Sequence, residues 1–258
     1  MNEASPAATV VVLRDAPGGV ELLLTERHGK LGFAGGAMVF PGGKVDPGDL
    51  GVARDPMLAT GFEALDDTDA AARIAAAREA LEEVGIVLSA GPPLPAETLA
   101  LWRARFAETA DEAGTYAAFL AATGHRADAV RLTPYAHWVP PMGLHRRFDT
   151  LFYVAVVASG SEVTPDGVEA VAAHWTTAAN AVAQATNKEI SVVFPTLRNL
   201  ERLAQYPTSA ALLERLATTT MTRIQPEIVE RDGETWLTIP ANCDYPVTEE
   251  RLNSVRRQ

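Results

Sequence analysis

The chain has 258 residues, of which 47% are hydrophobic and 21% are charged, so it can bury a full hydrophobic core. This composition excludes a disordered chain, a collagen-like fibre and a disulfide-stabilised miniprotein. The formal net charge is -11, from 33 acidic and 22 basic side chains. Because such a surface repels phosphate backbones, we do not expect the protein to bind nucleic acid.

Cysteine usage and hydropathy narrow the class of protein further. Cys243 is the single cysteine, so neither an internal disulfide nor a cysteine-based metal site can form within one chain. Residues 1–15 lack the basic and apolar stretches of a signal peptide. The longest purely apolar run, at 151–158, has eight residues, whereas a membrane helix needs about 20. The sequence therefore predicts a cytoplasmic protein that does not associate with a membrane.

The first elements along the chain are strands. Two runs rich in β-branched and leucine residues, at 9–13 and 21–25, flank a Pro-Gly-Gly turn and predict a hairpin or two adjacent strands. A short apolar strand at 37–40 ends at Pro41-Gly42-Gly43. A loop rich in Gly, Pro and Asp then continues to about residue 64.

A long helix follows this loop. Residues 66–84 contain neither Pro nor Gly, are rich in Ala, and begin with acidic residues that favour a helix N-terminus. Gly85 is typical of a helix C-terminus. The apolar residues 86–88 predict a strand directly after it.

The rest of the chain alternates between helices and strands. Further helices are predicted at 97–107, 112–122, 177–185, 194–204 and 209–217. Strands are predicted at 136–139 and 149–158, in a short segment up to Trp175, and in a hairpin around Asp232-Gly233. This order indicates a mixed α/β fold without regular βαβ alternation, and the absence of G-x-G-x-x-G disfavours a dinucleotide-binding fold.

The end of the long helix carries the clearest chemical signal. Glu79, Glu82 and Glu83 are spaced so that the three carboxylates share one helical face. They repel one another, and they lie in the last turn, where the helix dipole favours cations. Carboxylate oxygens are suitable ligands for Mg²⁺ or Mn²⁺, and Arg78 could orient the three carboxylates by hydrogen bonding. The alternative interpretation is a solvated acidic face.

The residues around this helix end resemble the Nudix box, G-x5-E-x7-R-E-U-x-E-E-x-G-U, where U is a bulky apolar residue. The segment 78–86 matches the second half, although Ala80 is small for the first apolar position. Gly43 matches the opening glycine, and Asp49 stands where the box has Glu. The two halves are separated by 28 residues instead of 7, which is an insertion of 21 residues at about 50–70. Asp46 and Asp49 either orient Arg78 or cap turns, and the turn role is favoured.

The segments 22–43 and 145–157, together with the interrupted box, resemble the coenzyme A diphosphatase branch of the Nudix hydrolases. The resemblance implies an α/β/α sandwich with a mixed sheet. It implies a hydrolase domain at 7–185, with the box at 43–86 and a helical insertion at about 96–124. Residues 186–258 would be an extension that packs over the core or against a second subunit of a homodimer.

The resemblance also implies the site residues. Glu79, Glu82, Glu83 and the Gly42 carbonyl would hold Mg²⁺ or Mn²⁺. Either Glu79 or Glu169 would act as general base, and Glu83 and Arg78 belong to the same catalytic group.

Three arginines are candidates to bind the phosphates of a small-molecule substrate by two-point hydrogen bonding, namely Arg27, Arg146 and Arg147. The implied reaction cleaves coenzyme A or an acyl-CoA to 3′,5′-ADP and a 4′-phosphopantetheine product. ADP-ribose, NADH or dinucleoside polyphosphates are alternative substrates, and a nucleotide-sensing module without turnover is an alternative function.

Overall fold

The computed structural model describes residues 4–29, 35–141 and 147–252. The helices in these ranges are α1 (Asp49–Arg54), α2 (Asp67–Val84), α3 (Ala96–Ala107), α4 (Glu112–Thr123), α5 (Ala178–Thr186), α6 (Phe194–Leu203) and α7 (Ser209–Thr218). The strands are β1 (Ser5–Ala16), β2 (Gly19–Arg27), β3 (Met38–Val39), β4 (Gly42–Lys44), β5 (Ala59–Thr60), β6 (Ser89–Ala90), β7 (Arg126–Asp128), β8 (Thr133–Trp138), β9 (Phe148–Val156), β10 (Ala170–Thr177), β11 (Arg223–Ile224), β12 (Glu227–Arg231), β13 (Glu234–Thr238) and β14 (Glu249–Arg251).

The largest sheet mixes parallel and antiparallel pairs. Its strands follow the order β10-β2-β1-β9-β8-β11, while β3 pairs with β2 and β4 pairs with β1. β1 is parallel to β9 and β8 is parallel to β11, whereas β2 is antiparallel to both of its long neighbours. The predicted hairpin at 9–13 and 21–25 is confirmed, and both strands extend beyond the predicted bounds.

Alternate residues of β1 enter two separate cores. Val10 and Val12 pack in a first core with α2, α3 and α4. Val11 and Leu13 point to the opposite face and pack in a second core with α5, α6 and α7. Helices therefore cover both faces of the sheet, which confirms the predicted α/β/α sandwich.

The caps of α2 fix where its last turn lies. The Asp66 side chain accepts a hydrogen bond from the Asp69 N–H at 2.8 Å, and Gly85 adopts a left-handed φ of 74°. The Ile86 N–H reaches back to the Ala80 carbonyl at 3.0 Å, which closes the helix end. The helix predicted at 66–84 is thus confirmed, with Asp66 as its cap.

The strand predicted at 86–88 is wrong. Ile86 and Leu88 are buried in the first core, but the chain forms no strand there, and the next strand is β6. These residues are apolar because they are buried beneath the helix end, so their hydropathy does not reflect strand pairing.

The insertion predicted at about 50–70 is folded. It contains most of α1, the strand β5 and the first turn of α2. The helical insertion predicted at about 96–124 is present as α3 and α4.

A small sheet of β5, β7 and β6 joins these two insertions. Ala59 pairs with Ala127 in parallel, and Ser89 pairs with Ala127 in antiparallel fashion. The Arg126 guanidinium donates to the carbonyls of Pro56 and Ala59, both at 2.7 Å. The two insertions are therefore hydrogen-bonded to each other.

The C-terminal segment from residue 186 packs on the second face of the sheet. The Asp15 carboxylate accepts hydrogen bonds from the N–H and the hydroxyl of Ser209, at 3.0 and 2.6 Å. Trp138 Nε1 donates to Tyr245 Oη at 3.0 Å. The C-terminal segment thus packs over the core, as predicted. The domain boundary near residue 185, the homodimer and the cytoplasmic location stay predictions. Within the described ranges, no helix is long and apolar enough to cross a membrane.

Candidate active site

Three carboxylates lie together at the C-terminal end of α2. Glu79, Glu82 and Glu83 occupy one side of its last turns, as their spacing predicts. Glu79 is only 8% exposed and Glu83 only 4% exposed, while Glu82 is partly exposed. Two of the three are therefore buried acids at a helix end that itself favours positive charge.

Two glycines bring the backbone of β4 directly against these acids. The Gly42 N–H donates to Glu83 Oε2 at 3.2 Å. A Cβ atom on Gly42 would lie 2.4 Å from the Ala8 carbonyl oxygen, and one on Gly43 would lie 2.2 Å from Glu79 Oε1. Only glycine fits at either position without moving its neighbours. The role of the Gly42 carbonyl as a metal ligand stays a prediction.

The guanidinium of Arg78 is fully buried behind the carboxylates. Its Nε and Nη2 donate to the two Asp49 oxygens at 3.3 and 3.4 Å, and Nη2 also donates to the Lys44 carbonyl at 2.9 Å. Its Nη1 donates to Glu79 Oε1 at 3.0 Å and to Glu112 Oε2 at 2.6 Å. All five N–H donors of Arg78 therefore have acceptors.

The pairing of Arg78 with Asp49 corrects one expectation. Asp46 does cap a turn, since it accepts the Gly48 N–H at 2.8 Å. Asp49 has both roles, because its Oδ2 accepts the Asp46 N–H at 2.8 Å and its fully buried carboxylate also pairs with Arg78. The folded insertion between β4 and α2 brings Asp49 beside Arg78, so two residues 29 positions apart in sequence are adjacent in space.

A second arginine binds the carbonyls at the end of α2. Arg103, in α3, donates to the Glu82 carbonyl from Nε at 3.1 Å and from Nη2 at 2.9 Å. Its Nη2 also reaches the Glu83 carbonyl at 3.2 Å. These carbonyls have no partner within the helix, and the cation complements the helix dipole. Sequence reasoning missed both Arg103 and Glu112, because a charged residue in a surface helix gives no local sign of a distant partner.

We expect Arg103→Met to lower the thermal stability of the protein. Hydrogen bonds that involve a charged group contribute about 1.5–3 kcal/mol. A loss of that size lowers the melting temperature by roughly 2–4 °C for each kcal/mol. Thermal unfolding in EDTA measures this change in melting temperature. Arg131→Met is the control, because Arg131 is half-exposed and its ion pair with Asp128 is long, at 3.6 Å. Equal melting temperatures for Arg103→Met and the unaltered protein would contradict the capping role.

The loop that carries Glu169 is attached to the end of α2. The Asp166 N–H donates to the Glu83 carbonyl at 2.9 Å. The Asp166 carboxylate then accepts the N–H groups of Glu169 and Ala170, at 3.1 and 2.8 Å. This turn chemistry holds the backbone of Glu169 near the three carboxylates.

Glu169 also faces the end of β2. The His28 N–H donates to the Glu169 carbonyl at 2.9 Å, and Arg27 Nη2 lies 3.8 Å from Glu169 Oε2. The Glu169 side chain is 53% exposed. Two residues predicted for the site, Arg27 and Glu169, therefore lie side by side next to the carboxylates of α2.

Negative charge in this cluster is not balanced. Burial, reinforced by neighbouring carboxylates, raises the pKa of Glu79 and Glu83 above the ordinary glutamate value, although Arg78 opposes the shift at Glu79. Burial and the nearby Glu112 raise the pKa of Glu82 to about 7. A bound cation would relieve this repulsion.

Of the two remaining arginine candidates, the structure describes Arg147, which directly precedes β9. Arg147 donates from Nε and Nη2 to the Pro140 carbonyl, at 3.2 and 3.0 Å. Arg146 lies outside the described residues. Substrate binding by either residue stays a prediction.

The donor chemistry of the site fits a hard divalent cation. Glu82 Oε2 is buried without a hydrogen-bond partner, and Glu79 and Glu83 each have one oxygen engaged by Arg78 and Gly42. Carboxylate oxygens are the donors that Mg²⁺ and Mn²⁺ prefer. In the part of the chain that the structure describes, no three acidic or histidine groups are already arranged as a ligand set.

A family profile described as NUDT19 Nudix domain matches residues 51–203, which is more than half of the chain. The chain belongs to the NUDT19 Nudix domain family. The matched range contains α2 with its carboxylates, the helices α3 and α4, and Glu169. The resemblance to Nudix hydrolases is therefore confirmed.

Two relatives of this NUDT19-type chain have names that state an activity. The human protein named acyl-coenzyme A diphosphatase NUDT19 is 30% identical over 233 residues, covering 73% of this chain and 61% of the human protein. The chicken protein of the same name is 27% identical, covering 78% of this chain and 68% of the chicken protein. The chain thus spans less than two thirds of the human relative's length.

A solved structure supports the fold of this family member. The crystal structure of a NUDIX hydrolase from Alicyclobacillus acidocaldarius is 29% identical and superimposes with a TM-score of 0.72. The match covers 86% of this chain and 99% of that protein. The NUDT19-type chain therefore has the Nudix hydrolase fold over most of its length.

Proposed function

We propose that this protein hydrolyses the diphosphate of coenzyme A or an acyl-CoA, with Mg²⁺ or Mn²⁺ as cofactor. The products would be 3′,5′-ADP and 4′-phosphopantetheine or its acyl form. The observation that carries the proposal is the group of Glu79, Glu82 and Glu83 packed against Gly42 and Gly43. The named relatives of the family support the choice of substrate.

Glu79, Glu82 and Glu83 would hold the cation. Such an ion neutralises the charge of a diphosphate and makes hydroxide available near neutral pH. The chain's own contribution is to fix these carboxylates. Arg78 holds Glu79 at 3.0 Å, the Gly42 N–H holds Glu83 at 3.2 Å, and Arg103 holds the backbone that carries Glu82.

Arg27 is the described arginine best placed for a phosphate oxygen. Its Nε is buried and has no hydrogen-bond partner among the described residues, and its Nη2 is 3.8 Å from Glu169. A guanidinium with unused donors can bind a phosphate by two parallel hydrogen bonds. Arg27 would therefore orient the diphosphate next to the carboxylates.

Glu169 is the carboxylate best placed to accept a proton. Glu79 is buried and has Oε1 engaged by Arg78, whereas Glu169 is half-exposed and makes one ion pair at 3.8 Å. Glu169 would take a proton from the attacking water while the oxygen of that water bonds to phosphorus. The bond from that phosphorus to the bridging oxygen breaks, and the second phosphate leaves with the bridging oxygen. A general base of this kind contributes about 10²–10⁴-fold to the rate.

The test is turnover of a substrate panel with Mg²⁺, with Mn²⁺ or with EDTA, with products identified by mass. The panel holds coenzyme A, acetyl-CoA, ADP-ribose, NADH and diadenosine polyphosphates. We expect 3′,5′-ADP from the first two compounds, in the presence of metal only. Cleavage confined to another compound would overturn the coenzyme A assignment but keep the reaction class. Nucleotide binding without any product would overturn the enzymatic assignment.

A further inference from the structure

The helical insertion that carries α3 and α4 reaches into the site through Glu112. Glu112 is the first residue of α4, and its Oε2 accepts a hydrogen bond from Arg78 Nη1 at 2.6 Å. The Glu112 side chain is 39% exposed, while Arg78 is completely buried. A carboxylate near the surface thus binds the guanidinium that lies behind the metal-binding acids.

The local structure holds Glu112 at this position. Asp111 caps α4 by accepting the Gly114 N–H at 2.9 Å, and a Cβ atom on Gly114 would lie 2.2 Å from the Asp111 carboxylate. On the other side, a Cβ atom on Gly48 would lie 2.8 Å from the Ala113 Cβ. The N-terminus of α4 is therefore packed tightly against Gly48, which directly precedes Asp49 and α1.

Glu112 also determines what Arg78 Nη1 binds. Nη1 has two N–H groups, and they go to Glu79 at 3.0 Å and to Glu112 at 2.6 Å. Glu82 Oε2 lies 3.7 Å from the same nitrogen and has no hydrogen-bond partner. Without Glu112, the second N–H of Nη1 would lose its acceptor, and Glu82 Oε2, which is 3.7 Å away, could take the place of Glu112. An unpaired buried donor is costly, so Arg78 would draw Glu82 toward itself.

We propose that Glu112 is a positioning residue of the active site, which keeps Arg78 away from Glu82 and leaves the Glu82 carboxylate free to hold the cation. This inference rests on the proposed metal site at Glu79, Glu82 and Glu83, and its kinetic consequence rests also on the proposed hydrolysis. The contacts of Arg78 with Glu112, Glu79 and Glu82 are the part that the structure shows. It also assigns a task to the helical insertion, which is to complete the arrangement of the carboxylates.

The experiment compares Glu112→Ala and Glu112→Gln with the unaltered protein in two measurements. The first is the affinity for Mn²⁺, measured from the electron paramagnetic resonance signal of the free ion in the absence of substrate. The second is kcat and KM for coenzyme A. Residues that orient metal ligands typically change metal affinity or activity by about 10–100-fold when they are removed. We expect a loss of this size in Mn²⁺ affinity and in kcat for Glu112→Ala, with KM for coenzyme A nearly unchanged.

Glu112→Gln serves as the conservative variant. Its amide oxygen can accept the same N–H from Arg78, so most of the Mn²⁺ affinity should be retained. Glu108→Ala is the matched control, because Glu108 is an exposed carboxylate of the same insertion that makes no side-chain hydrogen bond or ion pair among the described residues. It should behave like the unaltered protein.

A double variant tests whether Glu112 acts through Arg78. Arg78→Lys removes the guanidinium that Glu112 binds. In this background, Glu112→Ala should therefore cause little further loss of Mn²⁺ affinity. An unchanged Mn²⁺ affinity in Glu112→Ala would overturn the proposal, and so would an equal loss in both backgrounds. If the unaltered protein cleaves no diphosphate at all, the proposed function fails, while the Mn²⁺ measurement still decides the role of Glu112.

Discussion

Glu83→Gln is expected to abolish turnover and, at the same time, to make the metal-free protein more stable. Turnover is lost because a neutral amide is a poor ligand for a hard cation. The loss of the Glu83 carboxylate should therefore reduce kcat by roughly 10³-fold or more. Stability rises because the Glu83 side chain is almost fully buried and its charge is unfavourable there.

The direction of the pH effect follows from the raised pKa of Glu83. Burial, Glu79 and Glu169 raise the pKa of this carboxyl well above its value in the unfolded chain. The folded state then holds a proton at pH values where the unfolded state has lost it. The free energy of unfolding of the metal-free protein therefore falls as the pH rises above about 4.5. Glutamine does not titrate, so the advantage of Glu83→Gln should be absent at pH 4 and grow toward pH 8.

Thermal unfolding in EDTA at several pH values measures the stability effect, and product formation with Mg²⁺ measures the activity. Glu63→Gln is the control, because Glu63 is an exposed acid that makes no side-chain hydrogen bond or ion pair among the described residues. It should change neither quantity. Retention of full metal-dependent turnover by Glu83→Gln would remove this residue from the metal site. A lower melting temperature at pH 8 would show that the Gly42 hydrogen bond outweighs the buried charge.

Adding one methyl group at Gly43 is expected to lower turnover by about 10²-fold. The Cβ atom of Gly43→Ala would lie 2.2 Å from Glu79 Oε1 and 2.5 Å from its Cδ, so the whole carboxylate must move. Glu79 has little freedom to do so, because it is buried and its Oε1 is bound by Arg78 at 3.0 Å. A displacement of about 1 Å near the reacting groups can cost 10²-fold in rate.

Turnover and Mn²⁺ affinity of Gly43→Ala provide the measurement, and Gly51→Ala is the matched control. A Cβ atom on Gly51 would meet nothing within 4 Å, and Gly51 lies in the exposed part of α1. The control should keep its activity and gain about 0.4–1 kcal/mol in stability. Equal activity of the two variants would show that Glu79 does not need its present position.

Local features of the sequence were sufficient to predict α2 and its acids. The caps, the alanine-rich stretch and the spacing of Glu79, Glu82 and Glu83 all lie within 20 residues, and each acts through the helix itself. The strands β1, β2, β8 and β9 also follow from short apolar runs and turn residues, whereas β4 lies in a segment predicted as a loop and β11 was not predicted. The strand expected at 86–88 failed because burial against a helix and burial in a sheet select the same apolar residues.

The partners of the acids were beyond sequence reasoning for a physical reason. Arg103 and Glu112 act through side chains that cross between elements, and helical position alone does not reveal which charge they meet. The sequence places Asp49 at the Glu position of the box, but the 29 positions between Asp49 and Arg78 conceal that the two side chains are in contact. Pairing across the chain is set by packing, which no single segment encodes.

The small sheet of β5, β7 and β6 has a consequence for how such chains can vary. β5 belongs to the insertion within the box, while β6 and β7 flank the helical insertion, and Arg126 bonds across to Pro56 and Ala59. If β5 or β7 were lost, the other strand would be left with unpaired backbone N–H and carbonyl groups. We therefore expect that a change which unfolds one of these segments also destabilises the other, although more than 20 residues of helix and loop separate them along the chain.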